Sequence, residues 1–394
     1  MFSRPIPELR RADQFGLKVV ILFAASIALY SNAEANWRVE PAVGIGFQYD
    51  DNANLIPDSA IDSSVNGYLL DAEARFVYET PLTNVSLVPS VLLNRFDESQ
   101  LDSEDYFLDL TYKYAAQRST FEIWGTYADE SVRTAERANV DLDVEDPDLI
   151  PDDNSGSVLF TENRQRLGFR PRWTLKAGQR SSFRIGANYI DVSYDDSVSQ
   201  FLTDYSQATG DATYEIKVSE RAAFVVKGYY RENDFSVAGS DFSGYGATLG
   251  LNRSLSERTR LTANVGAEIS EDDFGADETN TVGDISLIHK SQTSQFLASY
   301  RRNISGSGTG ALSLRDSINL NVTRRIGPKV SIGAGVAAYS TSALDATSAT
   351  VEDRDYIQLR ARFSRNFTRV FSVDVDYRYT SIDREILAGD ADSN

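Results

Sequence analysis

The sequence predicts an all-β fold, a transmembrane antiparallel up-and-down β-barrel of outer-membrane type. Three observations carry that prediction. From Trp37 onward, segment after segment places apolar residues at every second position. The connections between those segments alternate short and long. No apolar run after residue 35 reaches the roughly 20 residues that a membrane-spanning helix needs, and mean hydropathy is −0.33.

The first element is a targeting segment. Arg4, Arg10, Arg11 and Lys18 precede an apolar run at 19–30, and Ala33-Glu34-Ala35 supplies a small-x-small cleavage site. This is the layout of a secretory signal peptide, so residues 1–35 are expected to be removed and 36–394 to form the barrel.

The strands follow from their period. Successive side chains of a strand point to opposite faces. Val39, Pro41, Val43, Ile45, Phe47 and Tyr49 form one apolar row, and Leu70, Ala72, Ala74, Phe76 and Tyr78 the next. The same pattern runs through Tyr106–Tyr114, Phe183–Tyr189, Leu261–Ile269 and Phe371–Tyr379. Seventeen such segments are predicted: 37–50, 65–79, 82–95, 105–116, 119–132, 164–177, 180–193, 207–218, 221–234, 242–255, 258–271, 279–290, 293–304, 313–325, 329–342, 353–365 and 369–382. Tight turns join them in pairs, at Thr80-Pro81, Gln117-Arg118, Gly178-Gln179, Ser219-Glu220, Ser256-Glu257, Ser291-Gln292, Ile326-Gly327-Pro328 and Asn366-Phe367-Thr368. Every other connection is expected to be longer, polar and acidic.

Short turns on one side and long loops on the other are the signature of an outer-membrane barrel. In lipid every backbone amide must be paired, and a closed antiparallel barrel does this without an edge. Tyr49, Tyr78, Tyr127, Tyr189, Tyr300, Tyr339 and Tyr379 stand at strand ends, where interfacial aromatic girdles are expected. A soluble all-β array also alternates, but it rarely keeps strict short-long connections over such a length. Bacterial single-chain barrels have even strand numbers. Seventeen visible strands and a loop-like ending at 387–394 therefore predict about eighteen strands in the intact protein, with the last one lacking here.

Two motifs carry a family resemblance. Tyr49-Asp50-Asp51-Asn52-Ala53-Asn54-Leu55-Ile56-Pro57 closes the first strand, and Val373-Asp374-Val375-Asp376-Tyr377-Arg378-Tyr379 lies in the last. Both resemble segments of an outer-membrane β-barrel family associated with capsule and exopolysaccharide secretion systems. The resemblance implies passage of a secreted polysaccharide across the outer membrane, with periplasmic secretion components as partners.

Composition excludes other classes. The chain has no Cys, which removes disulfides and thiol chemistry. Its net charge of −19 makes nucleic acid an unsuitable partner. His289 is the only His and lies beside a turn, with Lys290 and Ser291 next to it. A Ser-His hydrolase needs a nucleophile and an orienting group around its His, so no enzymatic activity, cofactor or metal is expected. The partners expected are outer-membrane lipid and lipopolysaccharide, and a polysaccharide cargo.

Alternation assigns the lumen wall. If Leu167, Phe169, Pro171, Trp173 and Leu175 face lipid, then Arg170 and Arg172 face inward. The same phase turns Arg184, Lys217, Lys227, Arg231, Arg301, Arg325, Arg360 and Arg362 inward. Such a basic wall would favour anions. The alternative is ordinary interior ion pairing with Glu215, Glu268, Asp374 and Asp376. The acidic run Asp141, Asp143, Glu145, Asp146, Asp148, Asp152 and Asp153 lacks the spacing of a calcium loop and reads as solvated surface, although carboxylates of this kind can share divalent cations with lipopolysaccharide. Three functions compete: an export conduit for exopolysaccharide, a general or substrate-selective porin, and a barrel anchoring a periplasmic partner. A porin would be expected to fold a long loop inward, and 133–163 is the sequence's only candidate.

Overall fold

The computed structural model describes residues 37–50, 64–137, 162–195, 202–236, 241–272, 277–308, 311–344, 354–368 and 370–384. The predicted signal peptide and the acidic run at 141–153 lie outside these residues.

Seventeen strands form one antiparallel sheet. They are β1 (Trp37–Asp50), β2 (Val65–Glu79), β3 (Thr83–Phe96), β4 (Ser103–Ala115), β5 (Ser119–Ser131), β6 (Asn163–Lys176), β7 (Ser181–Tyr194), β8 (Tyr205–Ser219) and β9 (Ala222–Phe235). Then come β10 (Phe242–Ser256), β11 (Thr259–Asp272), β12 (Asp277–Lys290), β13 (Ser294–Ser307), β14 (Ala311–Arg325), β15 (Val330–Ala343), β16 (Arg354–Asn366) and β17 (Ser372–Arg384). Each pairs with its neighbours in sequence, as in Leu249↔Val265 between β10 and β11 and Arg360↔Arg378 between β16 and β17. All seventeen predicted segments are strands. Among the described residues no ladder joins β1 to β17, so the barrel-like sheet has a seam.

The turn end matches expectation. Ile326 N–H donates to Val330 O at 2.7 Å and Ser291 N–H to Ser294 O at 2.7 Å. Gly327 adopts φ 77°, a left-handed conformation that glycine accepts without a Cβ clash.

The loop end departs from it in two places. Only 273–276 separate β11 from β12, and only 308–310 separate β13 from β14. These connections are as short as turns because their strands run beyond the predicted ends. The expectation that every loop-end connection is long is corrected there.

The two faces differ in the predicted way. Val43, Ile45, Phe47, Leu167, Phe169, Trp173, Ile185, Leu249, Val265, Val375 and Tyr377 are all exposed on the outer face. In a soluble protein so wide an apolar surface would be a liability, whereas against lipid it removes apolar area from water. Tyr49 stands outward near the end of β1, as a girdle requires, whereas Tyr189, Tyr300 and Tyr379 are outward but near the middle of their strands, which corrects the strand-end expectation for them. Tyr339 does not face outward. It is buried on the inner face, stacked on Tyr356 with centroids 4.6 Å apart and with the Arg315 guanidinium 3.8 Å above it.

Candidate functional site: a roofed basic lumen

The roof is built by a hairpin that leaves the wall. The β12–β13 ladder holds eight pairs and stops at Gly283↔Arg302. The β11–β12 and β13–β14 ladders on either side hold thirteen and fourteen. Beyond Arg302 the β13–β14 hairpin turns toward β7–β9. Ile304 and Leu312 share the parity of outward Tyr300 and Ile318, yet both are buried. They pack with Ile190, Val192, Tyr194, Tyr205 and Phe235, which project from the inner faces of β7, β8 and β9. Thr203 N–H donates to Gly308 O at 2.7 Å. Arg231 donates to the Ile304 carbonyl and pairs with Glu268. Close approach needs small residues: a Cβ on Gly306 would lie 3.3 Å from the Phe235 ring.

A short helix, α1 (Val132–Arg137), joins the roof from the other side. Val132 is buried in the same apolar cluster. Arg133 stacks over Phe96 at 4.5 Å and pairs with Asp50 at 2.8 Å, tying α1 to β3 and β1. Beneath it Asp105 is fully buried and accepts bonds from Ser103, Ser131 N–H and Thr134. Arg164 and Glu130 form a second buried pair at 2.8 Å. The inward element is therefore chiefly the short β13–β14 hairpin. Of the expected candidate at 133–163, only 133–137 and 162–163 are among the described residues.

Below the roof lies a polar cavity of about 880 Å³, reaching from the Glu257-Arg258 turn up to Arg231 and Asn303. Ten Arg and Lys side chains line it against four Asp and Glu. Six of the predicted wall residues are among them: Arg170, Arg172, Arg184, Lys227, Arg231 and Arg301. Arg170 donates to Asn188 at 3.4 Å and Arg184 to Thr213 at 3.3 Å. Arg172 lies over the inward Trp124 ring at 4.9 Å, and Lys227 over Tyr229 at 5.4 Å. The predicted wall omitted Arg258, Arg260, Lys290 and Arg302, which also line the cavity. Arg258 sits at the turn, where strand phase is weakest, while Arg260 and Lys290 share the inward phase of Asn264 and Ser286 on their strands.

The other four predicted residues lie elsewhere. Arg360 and Arg362 face inward and share Asp376, at 2.9 and 3.3 Å. Arg325 is at the turn-end rim and donates to Gln292 O at 2.8 Å. Lys217 keeps the inward phase of Glu215 but is exposed beside the turn. The interior ion pairs expected as the alternative are present at Glu268 and Asp376, while Glu215 accepts from Asn252 at 3.1 Å. His289 Nδ1 lies 2.9 Å from Thr259 Oγ1 on the neighbouring strand.

No protein-family model and no curated protein matches the chain. Among solved structures, it is similar to the FrpB iron transporter from Neisseria meningitidis at 8% identity and TM-score 0.49, covering 91% of this chain and 63% of that one. It is similar to Pseudomonas aeruginosa OpdQ at 12% identity and TM-score 0.42, covering 88% and 92%. For the ferric citrate transporter FecA the values are 11% and 0.43, and the chain spans 61% of FecA's length. The wall is apolar outside and charged within.

Proposed function

We propose that this protein is a β-barrel channel of the outer membrane that passes an anionic solute, and that its cargo class is an acidic exopolysaccharide. The cavity lining carries the reading. A chain with a net charge of −19 concentrates ten basic side chains against four acidic ones on one cavity lining. A basic ring selects anions by sign, and low-dielectric walls focus that field. The outward apolar band supports placement in a bilayer, and the short-turn end supports a periplasmic entrance below the roof.

A second reading is a porin for small anions, favoured by the inward hairpin. One experiment separates them. A strain lacking the gene is scored for surface polysaccharide and for uptake of small anionic solutes. Loss of the polysaccharide with unchanged uptake supports export. Loss of uptake with normal polysaccharide supports the porin, and no change in either defeats both.

A further inference from the structure

The hairpin that roofs the lumen also shortens the ladder in its side wall. β12 keeps its pairing with β11 up to Asp277, but β13 has left it beyond Gly283↔Arg302. The wall therefore forks on the loop-end half, between Asp277–Val282 of β12 and Asn303–Ser307 of β13. On the outer face at this fork lies a second concavity, of about 750 Å³, lined by outward Phe224, Val226, Leu249, Val265, Ile285 and Tyr300. It borders the lumen across this part of the wall. Val282, Gly283, Asp284 and Arg302 line both it and the basic cavity.

Arg302 marks the junction. It shares the outward parity of Tyr300, and a basic residue facing hydrocarbon is costly. Its guanidinium reaches Asp316 at 3.3 Å, and Tyr300 Oη donates to the same carboxylate at 2.6 Å. Its Nε is buried without a hydrogen-bond partner among the described residues. A donor left unmade in such a place is expensive.

We infer that the β12–β13 fork is a lateral exit, and that it takes an acylated anion whose tail lies in the outer concavity and whose charged head meets Arg302. The same displacement of β13 that carries the hairpin across the lumen forks the wall beside it. An amphiphile fits both sides of the junction, being charged where the lumen is basic and apolar where the outer face is. The occupant is a cargo arriving from the lumen rather than a resident lipid, because the apolar concavity and the basic cavity meet at Val282, Gly283, Asp284 and Arg302. The inference rests on the anion-passage reading of that cavity and adds the tail.

The test uses the full chain in lipid nanodiscs, with a spin label on Val282→Cys, in a protein that otherwise has no Cys. Labels on Thr209→Cys in the lumen and Val375→Cys on the lipid face serve as references. An open fork exposes the Val282 label both to oxygen from the lipid and to a water-soluble nickel chelate, whereas the Thr209 label meets only the chelate and the Val375 label only oxygen. A Val282 label behaving like that at Thr209 overturns the exit. Dodecyl phosphate should immobilise the Val282 label, and inorganic phosphate or dodecyl maltoside at equal concentration should not. Arg302→Ala should weaken that effect about tenfold, the loss of one charge-assisted bond. Equal action by dodecyl maltoside overturns the anionic head, and no action by dodecyl phosphate overturns the ligand class. If discs with anionic phosphatidylglycerol immobilise the label before any probe is added, the occupant is a resident lipid and the cargo inference falls. Planar-bilayer anion selectivity, measured alongside, reads the passage proposal by itself.

Discussion

Arg231 and Glu268 form an ion pair inside the lumen, and the same guanidinium holds the carbonyl of Ile304 on the inward hairpin. Both side chains are under a tenth exposed. Tyr229 donates to the other Glu268 oxygen at 2.8 Å. A buried pair gains little over an apolar replacement, but breaking it leaves an uncompensated charge that costs about 3–5 kcal/mol. Glu268→Ala should therefore lower stability by about that amount in urea unfolding of the reconstituted protein. The double change Arg231→Met with Glu268→Leu should recover much of the loss. Additive costs would mean that the two residues act independently.

The hairpin tip makes a separate prediction. Ile304 and Leu312 meet an apolar cluster contributed by β7–β9 and α1. Replacing both with Asp puts two carboxylates where nothing pairs with them, and the tip should leave the cluster. Single-channel conductance in planar bilayers should then rise, to about twofold or more. Unchanged conductance would show that the hairpin does not limit the pore.

Much of this fold was legible because lipid imposes a strict rule. The outer residue of each pair must be apolar, and Val43, Leu249 and Val375 obey it along whole strands. The inner wall was legible as its complement, which is why Arg170, Arg184 and Lys227 fall where the phase puts them. The roof was not, because it breaks the rule. At Tyr189-Ile190-Asp191-Val192-Ser193-Tyr194 the apolar phase flips from outward to inward. The run Ser305-Gly306-Ser307-Gly308 offers the small residues that close backbone approach requires. Those two signals together announce an inward contact, but period-two counting treats the first as noise and the second as a loop.

The facing of the strands can be tested by charge. Val265 and Val375 are 63% and 60% exposed on the outer face. An Arg at either should cost about 2–4 kcal/mol, the range for a basic residue at the bilayer midplane. At inward Asn264, whose amide already donates to Asp284 at 2.9 Å, the same change should cost far less. Equal costs at Val265 and Asn264 would reverse the assignment.

Orientation is tested from outside the cell. The longest connection joins β5 to β6 and belongs to the end opposite the tight turns. Exposed polar loop segments are preferred sites of proteolytic nicking. Protease added to intact cells should cut within 133–163, and cleavage only after lysis would place the tight turns outside.

The seam between β1 and β17 sets the last prediction. Both strands run toward the loop end, so a direct pairing between them would be parallel in an otherwise antiparallel sheet. Unpaired amides in hydrocarbon cost several kcal/mol each, which makes an open seam in lipid untenable. A strand running the opposite way fits both edges at once, donating to β17 on one side and β1 on the other. Its apolar positions would have to continue the outward rows of Val43, Ile45, Val375 and Tyr377, so it must alternate with period two over about ten residues. Fusing such a strand, ending in Phe or Trp, after residue 394 should raise the fraction that assembles into a heat-modifiable form in lipid vesicles. A scrambled strand of equal composition should not, because its apolar side chains would fall on both faces. Equal assembly with and without the alternating strand would show that the seam closes by itself, through a β1–β17 pairing.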